Sequence, residues 1–151
     1  MPDMLYDTRT ARHDLPLLFA GQAQKESFVN ELVARVDALL HLAIEAEAAV
    51  PPVAPLDGQA WLVAASPSGA WVGQAGLIAA RAAGNWLFLT PTAGMVLLNK
   101  ATGQQLRFVT AWLAPAKPAL PTGGATIDTQ ARTAIGTIIA ALVAAGIVPA
   151  S

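Results

Sequence analysis

From Gln59 to Val109 a glycine-bearing turn interrupts the chain about every ten residues, and that rhythm sets the fold class. The segments between turns are short and apolar. They are Gln59-Ala-Trp-Leu-Val-Ala, Ala70-Trp-Val, Leu77-Ile-Ala-Ala, Asn85-Trp-Leu-Phe-Leu, Met95-Val-Leu-Leu and Gln105-Leu-Arg-Phe-Val. Asp57-Gly58, Ser66-Pro67-Ser68-Gly69, Gly73 to Gly76, Gly84-Asn85, Gly94 and Gly103 separate them. Connections this short cannot carry a helical crossover, so the pattern predicts an antiparallel meander of six or seven short strands over residues 51–113. With a helix on either side, the class is α+β.

The first helix is expected over residues 15–50. Gly21 or Gln22 would open it, Lys25 and Glu26 come in the first turns, and Pro51-Pro52 and Pro55 stop it. Val29, Leu32, Val36, Leu39, Ala43 and Ala46 step by 3, 4, 3, 4 and 3, an a/d ladder. Such a row either packs on the core of its own domain or builds a bundle between chains; over so short a stretch the period does not separate the two. Glu31 and Arg35 stand four apart on another face. The second helix is expected within residues 127–151. Asp128 is a natural N-cap, Gly146 is placed to end the helix in a left-handed conformation, and Pro149 lies just beyond. Ala131, Ile135, Ile138, Leu142 and Ala145 repeat the 4, 3, 4, 3 ladder. Residues 1–14 read as a polar, extended leader and residues 114–126 as a Pro/Gly/Ala linker.

Charge is scarce and uneven. Only 13 % of residues are charged, and ten of the nineteen lie in the first 37 positions, against about 25 % in an average domain. No charged residue occurs after Arg132. A helix apolar on nearly all sides must be covered, so the expected partner is the chain itself. Ile at a and d positions favours three or four strands in parallel coiled coils, which makes a homotrimer the first expectation. Val29, Leu32, Val36, Leu39, Ile135, Ile138 and Leu142 are the expected oligomer interface. A net charge of −1 without a basic stripe argues against nucleic acid as a partner. The apolar stretch 134–148 is shorter than the ~20 residues that cross a bilayer, so a membrane partner is not expected.

Catalytic arrangements run out of residues. His13 and His41 are the only histidines, and cysteine is absent. His13-Asp14 reads as a solvated polar pair, and His41 as exposed. Glu45 and Glu47, two apart on the expected helix, would point in different directions. Asp57 sits in a Pro-Leu-Asp-Gly turn, where Asp bonds nearby backbone. No catalytic residue, metal ligand or cofactor is expected. The one binding alternative is a carbohydrate platform, since tryptophan rings stack on sugar faces; Trp71, Trp86 and Trp112 are its candidate residues. The competing reading makes these rings plugs for a small sheet's core.

The stretch Leu15-Pro-Leu-Leu-Phe-Ala-Gly-Gln-Ala-Gln-Lys-Glu, with Asn30-Glu31 and Val36-Asp37-Ala38-Leu39-Leu40, resembles an uncharacterised domain family of prophages, tailed phages and gene transfer agents of alphaproteobacteria. Pro55-Leu-Asp-Gly-Gln-Ala-Trp-Leu-Val, Gly69-Ala-Trp-Val and Gly84-Asn-Trp-Leu-Phe-Leu-Thr-Pro occur in the same order. At Phe108-Val-Thr-Ala-Trp112 the chain departs from the aromatic and Asp-Gly that the family tends to have. The resemblance implies a non-enzymatic virion component, a tail-fibre or tail-associated protein, and supplies no catalytic residues. It implies other virion proteins as partners, with a host surface glycan as the alternative, and assembly in the bacterial cytoplasm into a phage-like particle.

Overall fold

The computed structural model describes residues 9–19, 21 and 25–150. The expected extension of residues 1–8 and a helix start at Gln22 lie outside them. The chain forms two compact units, Met1–Pro91 and Thr92–Ser151.

In the first unit, helix α1 spans Glu26–Leu39, 14 residues, about two-fifths of the helix expected over residues 15–50. Lys25 caps it without a side-chain bond, and the Glu26 carboxylate reaches back to accept from the Gly21 N–H at 3.4 Å. Residues 15–19 lie outside the helix, because the Asn30 side chain binds both backbone groups of Leu18. Its Oδ1 accepts the Leu18 N–H at 2.8 Å and its Nδ2 donates to the Leu18 carbonyl at 3.0 Å. At the other end Leu40 turns extended and His41 adopts a positive φ of 46°. Strands β1 (Ala43–Ile44) and β2 (Glu47–Ala48) come next. The a/d ladder therefore ends at Leu39, and Ala43 and Ala46 continue its spacing by coincidence.

Strands β3 (Ala60–Val63), β4 (Ile78–Ala82) and β5 (Asn85–Leu89) pair antiparallel, and β2 joins β3 in parallel. The connection over residues 49–59, which holds Pro51, Pro52 and Pro55, makes that return without a helix. Ala70-Trp-Val, expected as a strand, is instead part of a 3-10 turn over Gly69–Trp71. This turn inserts Trp71 against one face of the sheet. There Trp61, Val63 and Ala79 are buried with it, and Trp86 and Phe88 pack around them. Ala79 pairs with Trp61 on one side and Phe88 on the other, so its methyl group leaves the space that the Trp71 indole fills. Burying one indole completely is among the largest single apolar contributions a small unit can make.

In the second unit β6 (Val96–Asn99), β7 (Gln104–Phe108) and β8 (Trp112–Leu113) pair antiparallel. Phe108 stands opposite Trp112 across the last turn, rings edge to face at 5.2 Å, so an aromatic pair closes the hairpin at the site of the family departure. The fold is thus α+β with eight strands among the described residues, rather than one meander of six or seven.

Helix α2 spans Thr129–Ala144. Asp128 caps it as expected, its Oδ1 accepting the Ala131 N–H at 2.8 Å. Gly146, at φ 68°, ends it: the Gly146 N–H bonds to Val143 O and the Ile147 N–H to Leu142 O, both at 2.9 Å. The same glycine is pressed on the β6–β7 turn, where the Gln105 N–H donates to its carbonyl at 2.6 Å. Residues 114–126, expected as a linker, form a strap tied at several points. Gln104 Nε2 donates to Pro115 O at 2.6 Å, Lys117 Nζ to Ala150 O at 2.5 Å, and Arg132 to the carbonyls of Pro121 and Gly123. A Cβ at position 146 would lie 2.9 Å from Gly103 O. Gly146→Ala is therefore expected to lose about 1–3 kcal/mol, from the left-handed backbone and the backbone clash together; thermal unfolding measures the loss.

Candidate functional site

The densest polar cluster centres on Asp37, 5 % exposed in the last turn of α1. A buried carboxylate is costly unless its lone pairs are filled, and the turn at residues 10–13 fills them. Thr10 Oγ1 donates to Oδ1 at 2.6 Å, the His13 N–H to Oδ1 at 2.8 Å and the Arg12 N–H to Oδ2 at 3.1 Å. Arg12 then sends its guanidinium to the end of α1. It donates to the carbonyls of Asp37 at 3.3 Å, Ala38 at 2.6 Å and His41 at 2.9 Å. The His13 ring Nε2 lies 2.9 Å from Leu40 O. A cation at a helix C-terminus meets both the orphan carbonyls and the negative end of the dipole. This explains why α1 stops at Leu39 with no glycine or proline there. The Arg12 clamp satisfies carbonyls that another helical turn would have used.

Gly58 completes the arrangement. At φ 87°, a Cβ there would lie 3.0 Å from Ala11 Cβ and 3.1 Å from Arg12 Cγ, so the 10–13 turn seats directly on this glycine. Its neighbour Asp57 does not bond locally as expected. Its carboxylate accepts the Gly84 N–H, at 3.1 and 3.2 Å, and closes the β4–β5 turn 27 residues away. The motif Asp57-Gly58 thus joins two distant turns.

These residues border a cavity of about 570 Å³ between α1 and the sheet. Ala34 and Ala38 of α1 face Ala60, Ala80 and Ala82 of the strands across it, and small side chains on both sides leave the space. Much of its polar lining is committed elsewhere, although the buried Arg81 Nε, 3.9 Å from Asp57 Oδ1, has no hydrogen-bond partner. Arg9 pairs with Asp14 at 3.0 Å, Glu31 with Arg35 at 2.7 Å, Asn30 holds Leu18, and Asn85 donates to Ala83 O. Arg81 lies over the Trp86 ring at 5.2 Å. The cluster can fix a fold; it offers no nucleophile with an adjacent base. Among the described residues no three His, Asp or Glu side chains gather as a metal site.

The expected site residues separate clearly. Trp71 is 0 % exposed, so it cannot stack on a sugar and is removed from the platform. It is 5.1 Å from Trp86 and 6.3 Å from Trp61, ring to ring. Trp86 and Trp112 are half-buried. The expected interface residues lie on the surface: Leu32 is 61 % exposed, Ile138 is 60 %, Ile135 is 40 %, Val29, Val36 and Leu39 are exposed, and Leu142 is half-buried. Phe28, not in the expected row, is 80 % exposed beside Leu32 on α1. Glu45 and Glu47 belong to the strand region after α1, not to a helix. His13 and Asp14 are not a pair. His13 turns to Leu40 and Asp14 to Arg9, while exposed His41 lies 5.9 Å from His13, ring to ring. Asn30, Asp37 and Arg12 were missed as fold-fixing residues. The available signal was two polar residues, Asn30 and Asp37, seven apart and so on one side of the helix.

A model of the DUF2793 family, described as a protein of unknown function, matches residues 29–113. The chain belongs to the DUF2793 family. The matched segment takes in most of α1, the Asp37 carboxylate, the Asp57-Gly58 motif and all eight strands, and it ends at the last residue of β8. Within this DUF2793 chain the strap and α2 therefore lie outside the matched segment. No protein of curated function matches. Asp37→Ala is expected to leave the Thr10 hydroxyl and two backbone N–H groups unpaired and to cost at least about 2 kcal/mol. Glu31→Ala, which removes an exposed pair, should cost less than about 1 kcal/mol. Urea unfolding of the two variants checks the contrast.

Proposed function

We propose that this DUF2793 chain is a non-enzymatic structural component of a phage-like particle, a tail fibre, adaptor or decoration, that works as a homo-oligomer. The observation that carries the reading is the placement of apolar side chains. Phe28, Leu32 and Val36 stand exposed on α1, and Ile135 and Ile138 on α2. Single exposed apolar residues are ordinary, but rows along two helices are features of contact surfaces. The polar cluster, in turn, is consumed by the fold. The viral setting rests on the likeness of the Gly21-Gln-Ala-Gln-Lys-Glu26 stretch and its companions to prophage, tailed-phage and gene-transfer-agent proteins. On this reading other virion proteins are the further partners, and the cytoplasm of the bacterium is where the particle is built.

The sugar-binding alternative is weakened by the burial of Trp71 and keeps only the partly covered Trp86 and Trp112. Light scattering on the purified chain is expected to give about three times its 15.5 kDa mass, the trimer that Ile-rich ladders favour. A single-chain mass that persists as concentration rises would falsify the self-assembling reading.

A further inference from the structure

We infer that self-association is carried by the free face of α2, with a second copy of α2 as its occupant, and that the α1 row takes no part in it. This rests on the assembly reading above and assigns its contact. The face consists of Ala134, Ile135, Ile138, Ala141, Leu142 and Ala145. The opposite side faces the strap: Lys117, Pro118 and Leu120 line, with Gly136, Ile139 and Val143, a groove of about 630 Å³, at the bottom of which Ile139 is 7 % exposed.

Four features make the free face suited to a dry contact with its own copy. No charged residue occurs after Arg132. Arg132 itself, the only charge on α2, turns its guanidinium to the Pro121 and Gly123 carbonyls of the strap. The threonines are neutralised as well: Thr133 Oγ1 donates to Thr129 O at 2.8 Å and Thr137 Oγ1 to Thr133 O at 3.0 Å. Those hydroxyls need no water when covered. Finally, the helix is restrained from rolling to hide the face: the Gln105 N–H bond to Gly146 O at 2.6 Å and the Gln104 bond to Ile147 O at 3.0 Å tie its C-terminal end to β7, and Arg132 ties its first turns to the strap.

A symmetric contact brings each residue near its own copy or its copy's neighbours. Charges inside such a contact meet like charges, which costs energy, whereas a charge-free face avoids the cost. A different protein partner would ordinarily be selected by complementary charge at the rim, and this face offers none. The α1 row is built differently: Lys25, Glu26, Glu31 and Arg35 stand on the same short helix and its cap. A membrane-spanning role for α2 is disfavoured by length. Sixteen residues span about 24 Å at 1.5 Å per residue, less than the ~30 Å hydrocarbon core, and among the described residues no helix is long and apolar enough to cross a membrane.

The test compares two double variants by light scattering, with circular dichroism to confirm folding. Ile135→Asp/Ile138→Asp is expected to fall to the 15.5 kDa chain mass, while Phe28→Asp/Leu32→Asp keeps the wild-type mass. Dissociation by the α1 variant alone overturns this assignment and leaves the assembly reading standing; a monomeric wild type removes both. Should the α2 variant not fold, cross-linking decides, since the chain has no native cysteine. Ile138→Cys treated with a bis-maleimide should give a covalent dimer, with Val72→Cys, exposed in the first unit, as the control that does not. A monomer from Ile138→Cys, or wild-type protein floating with phosphatidylcholine vesicles, overturns the inference.

Discussion

A carboxylate out of water must be paid for locally, and the first unit is arranged around that requirement at Asp37. Its oxygens accept a hydroxyl and two backbone N–H groups from one short turn. The same turn supplies the guanidinium that caps α1 across three carbonyls. Removing either side would strand the other, so helix end, turn and carboxylate form one unit. Gly58 extends the dependence to the sheet, because only a residue without a Cβ lets the turn sit on the start of β3. Asp57, next to it, fixes the β4–β5 turn. Polar groups that look like a candidate site are in this way the scaffold of the fold.

The sheet solves a second problem, that of a small domain with few large side chains. Alanines at 60, 79, 80 and 82 lie along its strands. On one face the deficit of volume is met by Trp71, brought in by a 3-10 turn between β3 and β4. On the other face it is left as the cavity under α1. The tryptophans consequently serve packing first. Trp61, Trp71 and Trp86 meet at 5.1 to 6.3 Å and hold strands to turn, a role in which a sugar would compete with the core.

On the proposed reading, function falls to the surface. The family match ends with β8. Beyond it the chain adds a strap and a helix that turns its one charge inward and leaves an aliphatic face outward. The proposed role in a phage-like particle is consistent with such a design, in which contacts rather than chemistry are the product.

The boundary between what could be read and what could not is physical. The α2 helix, with its Asp128 cap and Gly146 terminus, was legible because caps are local: they depend on residues within one turn. Strands β3 to β7 were legible because an alternation of short apolar runs and glycine turns admits few other structures. The length of α1 was not legible, since the groups that end it, Arg12 and the 10–13 turn, lie some 25 residues upstream in sequence. The parallel pairing of β2 with β3, the 3-10 turn at Trp71, the bond from Asp57 to Gly84 and the strap on α2 were hidden for the same reason. The sequence by itself determined the class, the turns and the second helix with its single charge. Tertiary structure decided which polar residues are consumed and which apolar ones stay exposed, because hydrogen bonds between segments far apart in the chain leave no periodic trace in it.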